Sequence, residues 1–147
     1  KIENSKMTSL GEVVIIATGT NNCGLITNQE SGESIEPDPE RFVKDFEQIL
    51  KLAEQKFART IVLSLMPSDG TVMPLGGEAV VSYDNQTIAE FNAFIKSLCS
   101  ENGITFVDLL PYFLGHEKEL LADHIHPNTK GHKIIAKEIT QILLPPL

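Results

Sequence analysis

Three short apolar runs constrain this chain more than any other feature: Val13-Val14-Ile15-Ile16-Ala17, Ile61-Val62-Leu63-Ser64-Leu65-Met66 and Ile104-Thr105-Phe106-Val107-Asp108. Each has the length of a strand, is rich in β-branched residues and is continuous rather than alternating. A strand with one wet face alternates apolar and polar residues; a strand buried on both faces does not. The runs therefore predict a parallel sheet covered on both sides.

The segments between them read as helices. Phe42, Phe46, Ile49, Leu50 and Ala53 recur at helical spacing, and Asp38-Pro39-Glu40 supplies an N-cap, a proline at the first position and an acidic first turn. A second helix sets Ile88, Phe91, Ile95, Leu98 and Cys99 on one face, with Asp84 as its cap and Asn102-Gly103 as its stop. A third follows Pro127-Asn128-Thr129, turns Ile134, Ile135, Ile139, Ile142 and Leu143 inward, and cannot continue past Pro145-Pro146. Strand and helix alternate, so the expected class is α/β, a three-layer sandwich around a parallel sheet. Residues 1–10 read as the end of a preceding helix.

Residues 1–147 read as a single domain, long enough to bury roughly 68–70% of its unfolded surface. With 12 Lys+Arg against 20 Asp+Glu, the net charge of −8 leaves no basic stripe for phosphates, which argues against nucleic acid. No apolar run approaches the length of a transmembrane helix. Two cysteines, Cys23 and Cys99, are too few for a disulfide framework and lack zinc-site spacing, and they decide nothing about compartment. The chain opens at Lys1 without an initiator methionine, as expected of a processed form or a piece of something longer.

Two loops, Cys23–Asp38 and Pro67–Tyr83, are longer than such units need. Both follow the carboxyl end of a strand, the edge where α/β folds bind ligands. Gly19-Thr20-Asn21-Asn22 leaves the first strand there; its glycine permits close backbone approach and an asparagine amide can donate to developing negative charge. As a phosphate loop the segment fails, since Leu25 stands where the lysine belongs. Asp123-His124-Ile125-His126-Pro127 leads into the last helix. An aspartate three residues before a histidine can fold back and meet the imidazole, fixing its tautomer and stabilising the imidazolium. His124, His126 and His132 also raise a metal site, but no carboxylate–histidine motif elsewhere completes one.

Strand, Gly-Thr-Asn-Asn, helix, strand, helix, Phe-Val-Asp-Leu and finally Asp-x-x-His-Pro-x-x-x-Gly-His together resemble the SGNH (GDSL-type) hydrolase family. The resemblance covers nearly the whole chain in the family's order and implies a flavodoxin-like SGNH hydrolase fold. It implies His126 as general base, Asp123 as the residue that orients it and Asn21 as an oxyanion donor, with Gly19 and Asn22 beside the substrate. Asn22 departs from the family's usual Gly-x-Asn-Asp. No cofactor and no metal are implied, and the substrate class is a carboxylic ester such as an acetylated sugar or short-chain ester.

The same resemblance implies a serine in a Gly-Asp-Ser block on an earlier strand, and no such block occurs in this sequence. Ser64 and Ser68 lie within and just after the second run, away from the family's nucleophile position. The chain thus resembles the latter two-thirds of an SGNH hydrolase. A central strand would be missing, leaving Val13–Ala17 as an open apolar edge to be completed by an N-terminal fragment or a second chain. The chain alone is expected to be nearly inactive. Two rival expectations are a non-catalytic SGNH-like binding domain and a flavodoxin-like binder that receives an anion at Gly19–Gly24.

Overall fold

The structure is a computed structural model that describes residues 11–144. The expectation for residues 1–10 lies outside them. Each apolar run forms a strand: β1 (Gly11–Ile16), β4 (Phe57–Leu63) and β7 (Thr105–Val107) make a parallel sheet in the order β1-β4-β7. The middle strand starts four residues ahead of its apolar run. Phe57–Arg59 are only half-buried or exposed there, so composition does not mark them.

Helices α1 (Pro39–Lys56), α2 (Asn85–Glu101) and α5 (Thr129–Leu143) begin where the caps predict. Asp38 accepts from the Arg41 amide at 2.9 Å, Asp84 from Thr87 at 3.0 Å, and Asn128 from Lys130 at 2.8 Å and Gly131 at 3.1 Å. Caps of this kind contribute about 1 kcal/mol each by satisfying amides the helix leaves open.

The middle strand divides the core. Val62 packs with Phe42, Phe46, Leu50, Phe91 and Ile95 of α1 and α2, while Ile61 and Leu63 pack with Phe113, Leu120 and Ile135 on the opposite face. Helices therefore cover both sides of the sheet. On α5 only Ile135 of the five predicted positions is fully buried, and on α1 Ile49 is 38% exposed. Two short helices, α3 (Leu110–Phe113) and α4 (Glu117–Leu120), fill the segment before the last helix.

The two long loops are not irregular. Each carries strands, and they pair across more than fifty residues of sequence into a second, antiparallel sheet. Its strands are β2 (Gly24–Asn28), β3 (Ser34–Ile35), β5 (Met73–Gly76) and β6 (Ala79–Tyr83), in the order β3-β2-β6-β5. Ile26, Val81 and Tyr83 anchor it to the α1–α2 side of the core. Gly76 and Gly77, at φ 109° and 57°, turn the β5–β6 hairpin.

Among the described residues β1 pairs with β4 alone, and its other edge is open. Val13 and Ile15 are 38% and 41% exposed on one face of that edge. On the other, Val14 and Ile16 line an apolar groove with Ile49, Leu52 and Ala53. No described helix is long and apolar enough to cross a membrane.

Candidate active site

Where β1 and β4 end, Ala17, Thr18, Thr20 and Leu63–Met66 form one wall of a cleft of about 280 Å³. Ile125, His126, Pro127, His132 and Ile135 form the other. The cleft lies at the carboxyl edge of the parallel strands, as expected of an α/β fold. Larger hollows exist, one of about 360 Å³ among them, but that one is lined by Glu54, Arg59 and Gly103 and includes no histidine.

Residues 121–127 make a tight loop. The Ala122 amide donates to the His126 carbonyl at 2.7 Å, and Leu121 bridges to Pro127. Within the loop, Asp123 Oδ1 accepts from the Ile125 amide at 3.0 Å and the His126 amide at 2.7 Å, which turns Asp123 Oδ2 toward His126 Nδ1 at 2.8 Å. These contacts, led by the Ile125 amide, hold the Asp123 carboxyl below the ordinary carboxylate range, at about 2. An ionised carboxylate only accepts, so His126 carries its proton on Nδ1 and leaves Nε2 as the basic nitrogen. The side chains are 71% and 50% exposed, so as a salt bridge the pair is screened and contributes little; what it fixes is orientation.

Gly131 lets α5 start directly behind this loop. A Cβ there would stand 2.6 Å from the Leu120 carbonyl oxygen and 2.9 Å from the Phe113 ring. Across the cleft, Gly19 at φ 123° precedes the next turn in a conformation that favours glycine, and a Cβ would press on Phe42 and Leu65 at 3.0 and 3.3 Å. Residues Thr20–Cys23 then form a single 3₁₀ turn that runs straight into β2, the Asn22 amide donating to the Gly19 carbonyl at 3.0 Å. Thr20 contributes to the cleft wall, Asn21 and Asn22 follow it in the chain as exposed residues that do not line the cleft, and Gly19 is buried against the core.

Asn21 has a partner that the sequence did not reveal. Tyr83, at the end of β6, donates its hydroxyl to Asn21 Oδ1 at 3.4 Å, leaving the Asn21 amide NH₂ free to donate elsewhere. Burial, then the nearby Cys23, pushes the Tyr83 hydroxyl above its ordinary value, so it stays protonated and able to donate.

The two serines weighed from sequence are both structural. Ser64 Oγ accepts from the Leu109 and Leu110 amides at 2.8 and 3.1 Å, and Ser68 Oγ accepts from the Gly70 amide at 3.0 Å. The residues are 2% and 1% exposed.

Two asparagines of α2 hold the same stretch of backbone. Asn92 accepts from the Leu65 amide at 2.7 Å and donates to the Leu65 carbonyl at 3.0 Å; Asn85 does the same to Ser68 at 2.8 and 2.9 Å. Seven residues apart, they lie on one helix face and grip the chain as it leaves β4. The signal for Asn92 was a polar residue inside the apolar stripe of Ile88 and Ile95.

Of the three histidines that raised a metal site, His124 and His126 have separate partners. His124 Nδ1 lies 3.0 Å from Asp69 Oδ2 and His126 Nδ1 lies against Asp123. Among the described residues no group of three His, Cys, Asp or Glu side chains gathers to hold an ion.

Comparison with known proteins agrees with this architecture. The chain matches the GDSL-like lipase/acylhydrolase family over residues 4–134. An acetyl xylan esterase of known structure superimposes with a TM-score of 0.63 at 20% identity, covering 90% of this chain and 67% of its own. An acetylxylan esterase from Geobacillus stearothermophilus gives 0.64 at 17%, covering 92% and 60%. A GDSL-like lipase from Bacteroides thetaiotaomicron gives 0.64 at 22%, covering 89% and 61%. The chain thus spans between 60% and 67% of the length of these three proteins, and at these identities the likeness establishes the fold. Among curated proteins no match is found. A three-layer sandwich with Asp-x-x-His-Pro ahead of its last helix, and a family match running over most of its length, settle the kinship: the chain belongs to the GDSL-like lipase/acylhydrolase family.

Proposed function

We propose that this chain carries the base and oxyanion half of a serine esterase that hydrolyses a carboxylic ester without metal or cofactor. The observation that carries the reading is His126, bound through Nδ1 to an ionised Asp123 while its ring borders the cleft. Family membership and the fold shared with esterases support it.

In this mechanism a serine hydroxyl attacks the ester carbonyl as His126 Nε2 takes its proton. Asp123 stabilises the imidazolium so formed. The Asn21 amide, set by Tyr83, donates to the tetrahedral oxyanion, and loss of such a donor typically costs about 10²–10³ in turnover. His126 returns the proton to the departing alcohol, and a water activated by the same nitrogen releases the acid. Gly19 gives Asn21 its approach, and Asn22 stands beside it at the substrate's entry.

The nucleophile is supplied by a segment outside these 147 residues, from the same protein or a second chain, docking along the open edge of β1. Ser64 and Ser68 are already engaged in holding backbone amides. The substrate is a small acyl ester, acetyl in size. The Ala17, Thr18 and Thr20 wall and the polar loops favour a polar alcohol such as a sugar, and two of the similar folds are described as acetyl xylan esterases.

The test is hydrolysis of p-nitrophenyl acetate by the natural full-length protein. His126→Ala abolishes turnover, Asn21→Ala lowers it by about 10²-fold or more, and residues 1–147 alone show almost none. Full activity in His126→Ala refutes the mechanism. Tight binding of the ester without turnover by any form of the protein instead favours a binding domain.

A further inference from the structure

Asp69 lies in the loop after β4, and nothing in the esterase mechanism uses it. Its carboxylate nonetheless meets His124 Nδ1 at 3.0 Å, and its backbone amide donates to the His124 carbonyl at 3.1 Å. His124 stands between Asp123 and Ile125, two residues before His126. Every other hydrogen bond that residues 122–127 make among the described residues closes within the loop or on its immediate flanks. Both bonds from this loop to a distant part of the fold therefore end on one residue.

Asp69 is itself well held. The preceding residue, Ser68, is buried and gripped through both its backbone groups by Asn85, and Asp69 Oδ1 accepts from the Thr71 amide at 2.9 Å. A rigid support thus reaches the base loop through a bidentate contact, one arm on the side chain and one on the backbone.

We propose that Asp69 is a positioning residue for the general base: by fixing His124 it sets the path of residues 123–126 and so aims His126 Nε2 into the cleft. The proposal deepens the esterase reading and rests on it for its catalytic consequence. The His124 contact, then the Thr71 amide, keeps the Asp69 carboxyl far below its ordinary range, at about 2, so the acceptor persists at any pH where an esterase works. Misplacing a catalytic group by an ångström costs up to about 10²-fold in rate, so a residue that touches no substrate can still govern turnover.

Two measurements test this. Amide hydrogen exchange on residues 1–147 reads the loop without any need for activity. In Asp69→Ala the Ile125 and His126 amides exchange at least about 10-fold faster, while Leu65 and the α2 amides keep the parent rates. Asp69→Asn keeps an acceptor oxygen for His124 Nδ1 and restores most of the protection. In the full-length protein, Asp69→Ala lowers kcat on p-nitrophenyl acetate by about 10-fold or more with KM little changed. Unchanged exchange at Ile125 and His126 in Asp69→Ala overturns the proposal, as does an Asp69→Asn chain as loose as Asp69→Ala. Uniformly faster exchange across the chain also overturns it, since that is a general loss of stability. A parent protein inactive on the ester fails the esterase reading alone, and the exchange result still decides this one.

Discussion

Replacing Asn92 by alanine removes one side chain and strands two backbone groups. Asn92 and Leu65 are 6% and 3% exposed, so water reaches neither the Leu65 amide nor its carbonyl once the side-chain amide is gone. Leaving a buried polar group unsatisfied costs about 1–3 kcal/mol, so two such groups make about 2–6 kcal/mol. Against a usual total of about 5–15 kcal/mol this is a large share, and at about 2–4 °C per kcal/mol it lowers Tm by about 4–24 °C. Urea unfolding of parent and Asn92→Ala, compared at equal m, gives the difference directly. Asn92→Asp sharpens the test. Its carboxylate still accepts from the Leu65 amide but opposes the Leu65 carbonyl, and burial raises its pKa above the unfolded value. The protonated acid can donate to that carbonyl, so the deficit is small near pH 4 and grows as pH rises toward 7. A loss under about 1 kcal/mol in Asn92→Ala, or an Asn92→Asp deficit that is flat from about pH 4 to 7, refutes the reasoning.

Three further outcomes follow from the site and its surroundings. Gly131→Ala destabilises by about 1–3 kcal/mol in thermal melts although alanine is the better helix former, because its Cβ meets the Leu120 carbonyl 2.6 Å away; a stabilised variant contradicts the close packing of α5 on the base loop. Asp123 has a depressed carboxyl, so its contribution to loop order is complete above the ordinary carboxylate range and is lost only as pH falls through about 2; a carboxyl titration by NMR with its midpoint near 4 removes the basis for that order. Burial pushes the Cys23 and Cys99 thiols up to about 12 and about 11, so neither reacts with a disulfide reagent near pH 8 until urea unfolds the chain.

The parallel strands and the three long helices were legible because each is specified locally, by a β-branched run or by a cap and an apolar stripe. Asp123 and His126 were legible for the same reason: three residues separate them and a proline ends their loop. What pairs at a distance was not. Leu25-Ile26-Thr27 acquires its meaning as a strand only opposite Val80-Val81-Ser82, and Asp69-Gly70 reads as an ordinary turn until His124 is brought beside it. Tyr83 entered the sequence reading only as the end of a long loop, and its hydroxyl donates to Asn21. The open edge of β1 is an expectation of the resemblance, and the residues that precede the strand lie outside those described.

The two asparagine grips of α2 have one further property: they carry no charge. Whatever the ionic strength or acidity, an amide on a backbone amide neither titrates nor is screened, so the exit of β4 holds its shape where ion pairs would slacken. The histidine contacts above it differ, each joining a carboxylate to an imidazole in partial contact with solvent. The molecule thus sets a buried, uncharged frame beneath two surface hydrogen bonds that each end on a carboxylate. Solvent and its ions therefore reach the carboxylates that orient the imidazoles but not the buried amides that hold the end of β4.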